Sequence, residues 1–425
     1  MIANSHISSS TSISNNPADS INNYIDGIHV TPPIISTAYG IPSNNGSNVK
    51  VGIVSLGGGW LPSDLQKSLG NLGLALTQNI TSVLVDGAGN VFSTSDSNAS
   101  LENTLDLYCI AGMVPGANIV IYTGNVGTTQ NWANVFQRAI DEGCDVITHS
   151  WGTDESNGYG AFLESVFANA ASQGITIVCS SGDNGSEGAS ANGNITVDYP
   201  ASSPNVVAVG GTILNYNAGT YARIAETPSG SSGGGVSTLF SVPSWQTGLQ
   251  ANLFFSSNSY SHVTTLTNRG VPDISAPYQT YPLWYNGNIA QVVGTSAAAP
   301  IVAGTIARYI SLNGRRPIPG AIHKIMYANS SAYYDFGVGY NNDEALNGGA
   351  TGGYATASGW DPVTGLGAPN GTALYQEVTS GGTQVKTAAN TWSYVANVKV
   401  KTAANTWSNV RAIYTKTING WSQTF

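Results

Sequence analysis

The chain predicts an α/β fold, a parallel central sheet flanked by helices, with a small β-rich repeat unit at its C-terminal end. Three observations carry this. Short β-branched runs alternate with helical stretches over most of the length, the order that βαβ connections produce. The strand-like runs read as buried, as strands of a sheet covered on both faces do. Near the end a glycine-rich break is followed by a tryptophan-containing repeat.

Taken in order, residues 1–28 are polar and aperiodic and read as a poorly ordered leader. Lys50–Leu56 reads as the first buried strand, followed by glycines. Asn118–Tyr122, Asp145–Thr148, Ile175–Cys179 and Val206–Val209 are further strands. Between them Pro62–Leu72, Ala99–Ala111, Asn131–Asp141 and Ala161–Ser172 have helical spacing. Another helix is expected from Ile301 to Leu312, after Pro300. These elements make one domain over 29–378. Residues 379–383 form a Gly/Ser/Thr linker. In 384–425, Val385–Ser393 recurs letter for letter at Val400–Ser408, and a degraded copy spans Tyr414–Ser422. The period of about fifteen residues suits one small hairpin per copy.

Composition narrows the function classes. The 425 residues are 41% hydrophobic, enough for a large core. Only 9% are charged, against roughly 25% in ordinary domains. A polar but weakly charged surface suits an extracellular or otherwise acid-exposed protein. The net charge of -9 argues against nucleic acid as a partner. No apolar run reaches the roughly 20 residues of a membrane span. The N-terminus has no apolar stretch of the signal-peptide kind. Cys109, Cys144 and Cys179 sit in apolar runs and read as buried thiols.

The candidate chemistry begins at Gly294-Thr295-Ser296, where a glycine turn precedes a serine and small residues that open a helix. That geometry exposes a hydroxyl at the positive end of a helix dipole, although a simple helix cap has the same letters. A nucleophilic serine needs a base. None of the five histidines has a catalytic setting, and His149 reads as a core residue. Glu102 and Asp106 lie at i and i+4 on one helix face. Such a pair usually faces water, but the rest of this helix is apolar. Asp183 stands in Ser-Gly-Asp-Asn-Gly, just past a strand end. It fits either an Asx turn or a carboxyl group where substrate lies.

Together these segments resemble the sedolisins, the serine-carboxyl peptidases. The resemblance covers about residues 30 to 378. It includes Ser150-Trp151-Gly152, Gly233-Gly234-Gly235 and Pro272-Asp273-Ile274-Ser275 as well as the three motifs above. It implies a subtilisin-like fold and hydrolysis of peptide bonds at acidic pH. Ser296 would be the nucleophile, Glu102 the base, Asp106 its partner and Asp183 the oxyanion donor. The backbones of Ser150, Trp151 and Gly152 and of Ser181 and Gly182 would pair with substrate as an added strand, with Gly234 and Gly235 on the other side. Endo- and exopeptidase action both stay open. An inactive structural or binding protein on the same fold is the competing reading.

The resemblance also implies one Ca²⁺ ion, held by Asp335 and Asp361 and by the carbonyls of Phe336, Ala357 and Gly359. Two carboxylates with carbonyl oxygens on irregular backbone suit such a hard cation. Two departures stand out. Family members usually carry a large prosegment, whereas a short leader precedes the domain here, so a separate, absent or removed proregion is expected. Some members couple the catalytic Glu to a second one through a tryptophan, but here Trp151 is present and the second position is Ser55. The catalytic domain is expected to be monomeric. The tail, with five basic residues and no acidic one, is expected to dock on a surface or particle.

Overall fold

A computed structural model describes the backbone of residues 4–5, 8–14, 20–78, 80–89, 91–93, 97–189, 193–255, 260–318, 320, 322–341, 352–380, 383–388, 391–395, 399–403, 406–409, 414–417 and 420–423. Side chains are described for 20–78, 80–89, 91–93, 98–189, 193–254, 262–318, 320, 322–341 and 352–377.

The elements are β1 (Asn4–Ser5), β2 (Ser8–Ser14), α1 (Pro32–Ala38), β3 (Lys50–Leu56), α2 (Pro62–Asn71), β4 (Thr81–Leu84), α3 (Ser97–Met113), β5 (Asn118–Gly124), α4 (Thr129–Asp141), β6 (Val146–His149) and β7 (Trp151–Asp154). Then come α5 (Glu164–Ser172), β8 (Thr176–Ser180), β9 (Asp198–Tyr199), β10 (Val207–Tyr216), β11 (Arg223–Pro228), β12 (Gly235–Ser241), β13 (Gln250–Phe255), β14 (Tyr260–Thr265), β15 (Asn268–Val271), β16 (Ile274–Pro277), β17 (Tyr281–Tyr285) and β18 (Asn288–Val293). The remainder is α6 (Thr295–Asn313), α7 (Ile322–Tyr327), β19 (Tyr333–Tyr334), β20 (Gly353–Ala355), β21 (Ala368–Pro369), α8 (Gly371–Ser380) and six tail strands.

The main sheet has the order β11-β10-β8-β6-β3-β5-β4, with β16 also on β10. All its pairs are parallel except β10–β11. Side chains alternate across it. Val51 and Ile53 of β3 enter one core with α3 and α6, while Val54 and Leu56 enter the other with α4 and α5. Each fully buried aliphatic side chain contributes roughly 1.5–3 kcal/mol, so a helix without a layer to cover would not persist alone.

Helix α6 is buried continuously from Thr295 to Ile310, as the central helix of a layered fold must be. It crosses α3 closely because Gly304 has no side chain. A Cβ there would come within 2.5 Å of Met113 Cβ. This contact brings together the helices that carry Ser296 and Glu102.

Three expectations need correction. The helix expected from Ile301 begins at Thr295 and passes through Pro300. Proline has no N–H, so the Ser296 carbonyl four residues back loses its intrahelical donor. The Ser150 hydroxyl lies 3.4 Å from that oxygen and supplies a substitute. The leader is not uniformly unstructured. β1 pairs with β7, β2 pairs with β18, and Ile21 is fully buried in the core. The linker is also shorter than expected, because α8 continues to Ser380 and the first tail strand starts at Thr383.

The tail forms three hairpins, Thr383–Ala388 with Thr391–Val395, Lys399–Ala403 with Thr406–Asn409, and Tyr414–Thr417 with Gly420–Gln423. Each places a lysine opposite a tryptophan: Lys386 with Trp392, Lys401 with Trp407 and Lys416 with Trp421. The expected burial of the three tryptophans concerns side chains outside the described residues.

Candidate active site

Glu102 and Asp106 sit on α3, and both are fully buried. Their helix has apolar neighbours on every side, including Leu101, Leu105, Leu107 and Tyr108, so the pair faces the interior rather than water. Ser296 stands in the first turn of α6. Its hydroxyl donates to Glu102 Oε2 at 3.0 Å across 194 positions of sequence. The nucleophile–base contact expected from the motifs is therefore made.

Asp106 is held by a residue whose side chain the sequence reading did not assign. The Ser150 hydroxyl donates to Asp106 Oδ1 at 2.8 Å. The Ser150 carbonyl lies 3.4 Å from Ser296 Oγ. Glu102 Oε1 and Asp106 Oδ2 are buried and have no hydrogen-bond partner. The carboxyls thus influence each other through space. Burial first, and the Asp106 charge second, push Glu102 well above the usual carboxylate range. The bond from Ser296 opposes this and the Asp183 charge adds to it. Burial raises Asp106 to about 8, against the pull of Ser150.

Asp183 reaches the same helix end from the loop after β8. Its Oδ1 accepts the Thr295 N–H at 2.8 Å and the Thr295 hydroxyl at 2.7 Å. The first helical N–H, which has no intrahelical acceptor, is thereby satisfied. Thr295 also accepts the Gly182 N–H at 3.2 Å. Threonine immediately before the nucleophile ties the two halves of the site together. No spacing rule in the sequence pointed to that role.

The segments expected to bind substrate divide into two groups. Ser150 is followed at once by β7, so Trp151 and Gly152 present a strand edge beside the nucleophile. The opposite edge of β7 is taken by β9. Ser181, Gly182 and Gly234 spend their backbone groups mainly inside the fold. Ser181 Oγ donates to Gly233 O at 2.7 Å, and Gly233 N donates to Gly182 O at 2.7 Å. Gly234 O accepts from Asn341 at 3.0 Å, and a Cβ on Gly234 would meet Pro362 O at 1.9 Å. Gly235 pairs with Val271 at the start of β12.

His149 is a core residue, packed by Trp132 and Phe136 and bonded through Nδ1 to Val54 O at 2.8 Å. At Ser55 no carboxylate joins the acid pair. Its hydroxyl bonds Asn103 Oδ1, and Asn103 Nδ2 donates to Gly57 O at 3.1 Å. Trp151 Nε1 is buried without a partner.

The five expected metal ligands converge on one loop. Asp361 is fully buried, and burial raises it to about 6 despite the Thr364 and Ala357 N–H groups that bond it. The exposed Asp335 accepts the Phe336 and Gly359 N–H groups at 2.8 Å each. Among the described residues no group of three or more His, Cys, Asp or Glu could hold a metal. A cation here would depend on two carboxylates and backbone carbonyls. That donor set, with a buried carboxyl lacking a basic neighbour, fits a hard cation.

The comparisons with known proteins agree with this arrangement. The subtilase family model matches residues 88–318. Kumamolisin of Bacillus sp. (strain MN-32) is 33% identical over 373 residues, covering 84% of this chain and 65% of that protein. Sedolisin of Pseudomonas sp. (strain 101) is 33% identical over 368 residues, covering 79% of this chain and 58% of that protein. The chain thus spans less than two thirds of the length of either relative. A structure of Pseudomonas sedolisin (serine-carboxyl proteinase) with two molecules of pseudo-iodotyrostatin superposes with a TM-score of 0.69 and 28% identity. That match covers 84% of this chain and all of the other. Shared sequence and a shared subtilisin-like architecture, with an acid pair where a histidine would otherwise serve, place this chain in the subtilase family, on its sedolisin branch.

Proposed function

We propose that the chain hydrolyses peptide bonds as a serine-carboxyl peptidase. The observation that carries the reading is the 3.0 Å bond from Ser296 Oγ to Glu102 Oε2 in a buried acid pair. Ionised Glu102 takes the Ser296 proton as Oγ attacks the substrate carbonyl carbon. Asp106 keeps a proton, because two adjacent buried carboxylates ionise together only at high cost. The oxyanion receives a hydrogen bond from the carboxyl of Asp183, which must be protonated to donate it. The Glu102 proton then passes to the leaving amine nitrogen as the C–N bond breaks. Water repeats the sequence on the acyl ester, giving its proton to Glu102 and restoring Ser296.

The protonated roles of Asp106 and Asp183 favour acidic working conditions, and the weakly charged surface suits an extracellular setting. Substrate would enter as an extended strand on the edge offered by Trp151 and Gly152. We extend the proposal to one Ca²⁺ ion at Asp335, Phe336, Ala357, Gly359 and Asp361, where it would neutralise the buried charge of Asp361 and hold the loop. The tail hairpins would attach the enzyme to an anionic surface or particle, since each repeats a lysine opposite a tryptophan. The test of the peptidase reading is hydrolysis of a peptide library across pH, with Ser296→Ala as the control.

A further inference from the structure

The substrate edge is already filled by this chain's own N-terminus. β1 pairs antiparallel with the start of β7, with Asn4 opposite Gly152 and Ser5 opposite Trp151. β1 also lies against α3, the helix of the acid pair. β2 then pairs antiparallel with β18, with Ser8 opposite Val293, Ser9 opposite Val292 and Ser10 opposite Gln291. The other edge of β18 belongs to β17. The leader thus occupies two strand edges.

Both edges converge on the nucleophile. Trp151 follows Ser150, whose carbonyl is 3.4 Å from Ser296 Oγ. Val293 precedes Ser296 by three residues in the sequence. From Ser5 to Ser8 the chain can span at most about 10 Å, so its passage from one edge to the other is confined to the neighbourhood of the site. A second observation points the same way. Ser296, Ser150, Glu102 and Asp106 are all 0% exposed, although a substrate carbonyl must reach Ser296 Oγ.

We propose that residues 4–14 act as a built-in occupant of the peptidase cleft, holding the place of an extended substrate and inhibiting the enzyme in cis. The inference rests on the peptidase reading. Backbone pairing at β1 supplies the competition, because an open β7 edge would offer its N–H and C=O groups to any extended chain. Pairing at β2 supplies the tether. A tethered competitor acts at an effective concentration on the order of millimolar, so a substrate with a KM of about 1 μM–1 mM must displace it.

The test compares three forms on one short quenched peptide at acidic pH. They are the full chain, the full chain with Asn4→Pro and Ser5→Pro, and the chain lacking residues 1–14. Proline removes the N–H that strand pairing needs. The proline form should cleave about 10-fold faster or more at low substrate, with KM falling more than kcat changes. The truncated form should behave likewise. A synthetic peptide of residues 1–16 should inhibit it competitively. The same peptide, fluorescently labelled, should bind the truncated Ser296→Ala protein and be displaced by uncleaved substrate, a readout independent of turnover. Equal rates for the full chain and the proline form, with no binding of the labelled peptide, would overturn the inference. Complete inactivity of every form, with the labelled peptide bound and displaced, would instead overturn the peptidase reading and leave the occupied cleft standing.

Discussion

The Ser150 hydroxyl bonds Asp106 Oδ1 at 2.8 Å and lies 3.4 Å from the carbonyl of Ser296. One side chain thus links the second carboxyl of the pair to the helix that carries the nucleophile. Ser150→Ala would leave a buried carboxyl without its donor, a loss of about 1–3 kcal/mol. It should lower kcat roughly 10- to 100-fold with little change in KM, and shift the pH profile. Ser150→Thr, which keeps a hydroxyl, should recover most of the rate. An unchanged pH profile in Ser150→Ala would contradict this positioning role.

Stability should depend on pH in a defined direction. Burial holds Glu102 well above its ordinary range and lifts Asp106 from 3.8 to about 8. Between these limits the folded chain binds protons that the unfolded chain has released. Stability is therefore fully present below about pH 4 and is lost as pH rises towards 8. Asp273 acts oppositely. Burial alone would raise it, but Arg269 and His323 hold it well below its ordinary range, so its contribution fails only in strong acid. The Tm should be about 5 °C or more higher at about pH 5 than at about pH 8. Asp106→Asn should flatten that slope, and a Tm that climbs over the same interval would contradict the assignment.

Removal of calcium should destabilise the fold. A cation bound only by the folded state stabilises it by mass action, about 2.7 kcal/mol at a hundredfold excess over Kd. Excess chelator should lower the Tm by a few degrees, and Asp335→Ala should abolish that response. Elemental analysis should find one calcium per chain. An unaltered melting curve with no metal present would remove the site.

Truncation after Ser380 separates the tail from the enzyme. The cut follows α8, whose Leu374 is buried in the core, so the helix should stay. Cleavage of a short peptide should survive within about twofold, while retention on an anionic surface should fall. Unfolding of the truncated chain would make the tail part of the catalytic domain.

Much of this was legible in the letters. Strand and helix alternation located the sheet to within a few residues, because buried parallel strands and their covering helices leave distinct periodicities. Glu102, Asp106, Asp183 and Ser296 were found through motifs, and the fold brings them to one place. The roles of Ser150 and Thr295 were hidden because their side chains act across 44 and 112 positions of sequence. Pro300 misled the reading of α6, since the donor it removes is replaced by a hydroxyl from another strand. The leader looked structureless because small polar residues carry no hydrophobic pattern. Its pairing is made by backbone on edges that other segments provide.

The central claim is that Ser296 attacks and Glu102 takes its proton. The direct measurement is kcat/KM on a peptide substrate for the full chain, Ser296→Ala, Glu102→Gln and Asp183→Asn, with the leader deleted in each. The first two substitutions should each cost on the order of 10³–10⁶. Asp183→Asn should cost about 10²–10³, and circular dichroism should show all four folded alike. Undiminished hydrolysis by Ser296→Ala would contradict the account.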